Sequence, residues 1–117
     1  MSWASIAKNL DTSLVKVAEN IFGKNIDNVL GHLSEDVVKH NIANISKAVG
    51  GGSETQIFNN LRALKPNEFQ KLITENNINP NVFVSAVENA RKAPLTPKEF
   101  DEFAKSMDDF YKSNSTY

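Results

Sequence analysis

Two histidines, His32 and His40, are the side chains best suited to chemistry in a chain that contains no cysteine. Asp36 stands four residues before His40, so on a helix its carboxylate and the imidazole share one face. Such a pair can orient an imidazole for general-base work or, together with His32, begin a metal site. No third or fourth ligand stands at a matching spacing. The pair therefore reads as an exposed histidine with a local ion pair, and no catalytic residue, metal or cofactor is expected. The lack of cysteine removes disulfides, thiolate ligands and cysteine nucleophiles. Gly50-Gly51-Gly52-Ser53 precedes a helix start whose free N–H groups can hold an anion. No lysine follows in P-loop register and no strand precedes, so this run reads as a helix cap and linker.

The elements that must position these groups are helical throughout. Trp3, Ile6, Leu10, Leu14, Val17 and Ile21 recur at intervals of three and four, which predicts one helix of about twenty residues ended by Gly23. A short segment with Ile26, Val29, Leu30 and Leu33 follows. Ser34 is then an N-cap, with Glu35 and Asp36 in the first turn and Val38, Ile42, Ile45 and Val49 as the buried stripe. After the glycines, Ser53 and Gln56 form a capping box for a helix presenting Ile57, Phe58, Leu61 and Leu64. Three later starts share one device, a proline followed three residues on by phenylalanine: Pro66 with Phe69, Pro80 with Phe83 and Pro97 with Phe100. Proline suits the first helical position, and the phenylalanine falls where a hydrophobic staple to Leu64, Ile78 or Leu95 closes. No run alternates in the manner of a strand. The fold expected is all-α, a compact bundle or orthogonal array of six to seven short helices. It forms a single domain over 1–117, with a joint at 50–52 between an N-terminal part (2–49) and a C-terminal part (53–113).

The region 57–107, and above all 69–94, resembles in outline the Cro and phage-repressor type of DNA-binding domain. A helix with Phe69, Leu72 and Ile73 leads through Asn76-Asn77-Ile78 into a helix with Val84 and Val87. The run Glu88-Asn89-Ala90-Arg91-Lys92-Ala93-Pro94 looks like the close of such a recognition helix. The resemblance implies a helix-turn-helix regulator using residues about 66–94. Its base-edge candidates would be Asn79, Asn81, Ser85 and Asn89, with Arg91 and Lys92 as its basic pair. Departures stand beside it: the turn lacks glycine, and 79–86 contains no Arg or Lys. Residues 62–92 carry a net charge of only +2, thin for phosphate contacts.

Charge narrows the function classes further. Thirteen Lys and Arg against fourteen Asp and Glu leave a net −1, which gives neither nucleic acid nor a membrane surface a long-range attraction. Fifteen asparagines, and eleven lysines against two arginines, are the bias that AT-rich codons produce, as in a low-GC bacterium or its phages. No basic region followed by an apolar run opens the chain, so a cytoplasmic location is expected, or delivery without an N-terminal signal peptide. The reading by elimination is a small non-enzymatic protein-protein interaction module: an adaptor, inhibitor, immunity-type or secretion-accessory protein. Its docking surface is expected on Trp3, Ile6, Leu10 and Phe22, where a second copy could also pair. A second expected surface is the acidic face of the last helix at Asp101 and Asp108. The partner is another protein of unknown identity.

Overall fold

Why does Trp3 lie beside Glu19 when sixteen residues separate them? In the computed structural model, which describes residues 2–92 together with Pro97, Asp101 and Lys105, the first apolar stripe is folded in two. α1 (Trp3–Ala7) ends at Lys8, and α2 (Thr12–Phe22) starts after Asp11, whose backbone is extended at ψ 143°. One continuous helix would hold residues 3 and 19 about 24 Å apart. Instead the Trp3 backbone N–H donates to the Asp27 carboxylate at 2.7 Å, and the indole N–H reaches Glu19 at 3.4 Å. The break lets Trp3 and Ile6 turn back into the core, where they are 6% and 1% exposed. The single long first helix is therefore corrected to a pair.

The remaining elements follow in short steps. A 3-10 turn (Gly23–Asn25) leads to α3 (Ile26–Leu30), then α4 (Glu35–Ala48) and α5 (Glu54–Ala63). A second 3-10 turn (Pro66–Glu68) runs into α6 (Phe69–Glu75), and α7 (Pro80–Lys92) follows. No strand occurs among the described residues, and the protein is an all-α bundle of short helices. The caps match their residues. Ser34 accepts from the Val37 N–H, and Ser53 and Gln56 close a complete capping box. Gly52 serves that box directly: its φ is +95°, and a Cβ there would collide with the Gln56 carboxamide. The start at Pro66 departs from the expected pattern. It opens a 3-10 turn, and the α-helix begins only at Phe69. The last helix, expected from Pro97 onward, falls outside the described residues except at Pro97, Asp101 and Lys105, which are helical and exposed.

α7 is the central element. Val82, Phe83, Ala86, Val87 and Ala90 are all buried, and the helix packs on α2, α3 and α5. Phe69 meets Phe83 edge to face, with ring centroids 5.5 Å apart and planes at 81°, which joins two of the Pro-x-x-Phe starts through their rings. Residues from both sides of the three glycines belong to one core cluster. Among the described residues no helix is long and apolar enough to cross a membrane.

Phe83 is fully buried in this packing. Phe83→Ala should destabilise the chain by about 3–5 kcal/mol, read as a lower urea midpoint with an unchanged slope. Trp3 is the only tryptophan. Its emission should be blue-shifted in the native state and move red in the same transition, whereas a solvent-like native spectrum would place α1 off the core.

Candidate functional site

Asparagine does most of the polar work, and it divides into two sets. In the first set, carboxamides hold the ends of helices. Asn60 donates to the Val49 carbonyl at 2.8 Å, Asn76 to the Leu72 carbonyl at 3.0 Å, and Asn89 to the Ile21 carbonyl at the end of α2. Each supplies a donor to a carbonyl at or near a helix end, and the Leu72 carbonyl also accepts from the Asn76 backbone N–H at 3.1 Å. Asn79 caps α7, its side-chain oxygen accepting from the N–H groups of Asn81 (2.9 Å) and Val82 (3.4 Å). Asn41 is buried on α4. It donates to the Val37 carbonyl at 2.8 Å and accepts from the Asn79 backbone N–H at 2.7 Å. That last bond joins α4 to the first turn of α7.

The turn between α6 and α7 uses asparagine in another way. Asn77 has φ +52°, and the N–H of Ile78 bonds the Ile73 carbonyl at 3.1 Å. This is a Schellman ending with asparagine in the left-handed position that glycine more often takes.

The second set, Asn28, Asn44, Asn77 and Asn81, lies together with Asn41, Asn79 and Asn89 of the first along a trough on the polar side of α7, made of three adjoining clefts. The first, of about 450 Å³, lies between the start of α4 and the α6–α7 turn, with His40, Asn41, Asn44, Asn77 and Asn79 around it. The second, of about 270 Å³, lies between α3 and α7 and is bounded by Asn28, His32, Asn79, Asn81 and Ser85. The third, of about 140 Å³, continues past Asn25, Asn28, Ser85 and Asn89 to Glu88 and Lys92. Asn79 is common to the first two, and Asn28 and Ser85 to the last two, so the clefts are neighbours along α7. Eight of the fifteen asparagines line them. The side chains of Asn28, Asn44, Asn77 and Asn81 make no hydrogen bond among the described residues. Valines, Leu33 and Ile78 give the walls their apolar parts, with Val37 39% exposed.

The expected site residues are distributed unevenly over this geometry. Trp3, Ile6 and Phe22 are buried in the chain's own core, and Leu10 is half-buried against it. The docking surface expected on them is thereby corrected: folding the first stripe in two consumes it. Asp101 is an exposed helical position, and Asp108 lies outside the described residues. Of the residues named for DNA, Asn79, Asn81, Ser85, Asn89 and Lys92 all line the trough. Arg91 does not. It donates to the Leu64 carbonyl and lies 5.6 Å from the centre of the Phe69 ring. Burial lowers its guanidinium from the ordinary arginine value, though arginine stays charged at any pH of interest. The other arginine, Arg62, is also buried. It donates to the Ala90 carbonyl at 3.1 Å and packs 4.8 Å from the Phe58 ring centre.

The histidines stand on the trough without the expected partnership. Both are exposed; His32 bonds the Asn28 carbonyl at 2.7 Å, and no bond joins His40 to Asp36. Among the described residues no cluster of three His, Asp or Glu could hold a metal. A further cleft of about 570 Å³ lies where the starts of α2 and α5 meet, bounded by Thr12, Ser13, Lys16, Ser53 and Glu54. There the capping box already occupies the end of α5, and the Glu54 carboxylate stands in its first turn. The chain matches no family model, and no curated protein or solved structure matches it.

The two sets of asparagine should separate on substitution. Asn41→Ala leaves the Asn79 N–H at the head of α7 without its acceptor and should cost about 1–3 kcal/mol. Asn28→Ala and Asn81→Ala should each stay within about 0.5 kcal/mol. Thermal or urea denaturation of the three variants reads the difference. Equal losses would show that the trough amides are structural too.

Proposed function

We propose that the protein is a non-enzymatic protein-binding module, of the adaptor, inhibitor, immunity-type or secretion-accessory kind, and that its partner enters the trough along α7. The observation that carries this reading is the trough of three neighbouring clefts lined by carboxamides with unused hydrogen-bonding capacity. A carboxamide carries two donors and an acceptor oxygen with two lone pairs, and it stays neutral at every accessible pH. Such groups suit recognition and lack the proton affinity needed for acid-base work. The acidic positions of the last helix, of which Asp101 is exposed, are a secondary contact in the same proposal.

A helix-turn-helix regulator is the competing reading, and the order α6, turn, α7 is the observation in its favour. Two features weigh against it. The polar side of α7 faces α3 across a cleft, so it is a wall and not a ridge that enters a groove. Its arginine is spent on the Leu64 carbonyl, which leaves Lys92 as the one Lys or Arg lining the trough among the described residues.

Photo-crosslinking tests the proposal. A benzophenone amino acid at position 44 or 81 should trap the same protein in extracts of the native cell, and one at position 55, in the separate cleft beside α2, should not. Competition by the unlabelled chain should remove the adduct. Adducts formed only from position 55, or salt-sensitive adducts to duplex DNA from position 81, would contradict it.

A further inference from the structure

Extending the protein-binding reading, we infer that the trough takes an extended, uncharged stretch of polypeptide and holds it by its main chain, with Asn28, Asn44, Asn77 and Asn81 as the groups that bond its peptide units. Three observations converge on that occupant. The first is hydrogen-bonding type. The asparagine side chain is an amide, with the same donor and acceptor groups as the peptide unit, so a row of such side chains can bond main chain without reading side chains. These four carboxamides have no bond among the described residues, and they stand in two neighbouring clefts that share Asn79.

The second is charge. Among the described residues no Lys, Arg, Asp or Glu lines the first two clefts; Glu88 and Lys92 enter at the third. A charged side chain placed along the first two would lose water and gain no counter-ion, so neutral sequence is favoured. The third is shape and wall chemistry. Among the described residues no Phe, Tyr or Trp lines the three clefts, and the aromatic rings there are the exposed imidazoles of His40 and His32. The apolar parts are separated: Val37 and Ile78 in one cleft, Val29, Leu33 and Val82 in the next. They suit alternate side chains of an extended strand, which repeat on one face at every second residue. From Asn81 to Lys92 the helix wall rises about 16 Å, the span of about five extended residues.

Random dodecapeptides displayed on phage, selected on the intact chain, give the probe. Selected peptides should be poor in Lys, Arg, Asp and Glu. Methylating their backbone nitrogens one at a time should weaken binding about three- to tenfold at alternate positions, while alanine at those same positions should change it little. The double variant N28A/N81A should lose binding by a similar or larger factor, and its unchanged thermal midpoint would separate that loss from unfolding. Binding that ignores backbone methylation, or that survives N28A/N81A, overturns the inference. So does failure to select any peptide when positions 44 and 81 still crosslink a protein; in that case the module binds a folded surface and the broader reading stands. Absence of both peptides and crosslinks would remove the two together.

Discussion

Both ends of α7 are fastened by side chains that belong to other helices, and most of the structure follows from that. At its start, the buried carboxamide of Asn41 on α4 accepts the Asn79 N–H at 2.7 Å. At its end, Arg62 on α5 donates to the Ala90 carbonyl at 3.1 Å, while Arg91 on α7 reaches back to the Leu64 carbonyl. A helix held at two ends cannot roll. Its apolar face, with Val82, Phe83, Ala86, Val87 and Ala90, is committed to α2, α3 and α5. Its other face is therefore fixed as the wall of a cleft. The same fastening spends both arginines of the chain inside the fold. What remains at the surface is lysine, carboxylate and a large supply of neutral amide.

How much of this could be read from residue order depends on whether the deciding contact is local. Caps are local, and Ser34, Ser53 with Gln56, and the proline start at Pro80 behave as their spacing implies. The break between α1 and α2 is not local. The stripe through Ile6, Leu10 and Leu14 keeps helical spacing straight across it, and only the bonds from Trp3 to Asp27 and Glu19 show why the chain turns there. Trp3, Ile6 and Phe22 were legible as an apolar stripe, whereas their burial depended on that turn. Asn77 offered a signal that was available but weak, because asparagine is the side chain that best tolerates a left-handed residue after a helix.

The candidate site was legible in composition and illegible in arrangement. Fifteen asparagines are plain in the sequence, yet nothing in their spacing separates Asn89, which holds the end of α2, from Asn81, whose carboxamide has no bond among the described residues. That separation requires α3, α4 and α7 to be placed together. Five of the residues that suggested DNA contact line the trough along α7. Their surroundings change what they can do. Facing α3 across a cleft, they receive a chain more readily than they enter a groove.

The asparagine side chains thus divide into a structural set and an available set. Hydrogen exchange of the side-chain NH₂ groups, resolved by NMR in the isolated protein, measures that division residue by residue. Slow exchange is expected at Asn41 and Asn89 and near-solvent exchange at Asn28, Asn44, Asn77 and Asn81. Fast exchange at Asn41, or strong protection at Asn28 and Asn81 in the isolated chain, would contradict that division.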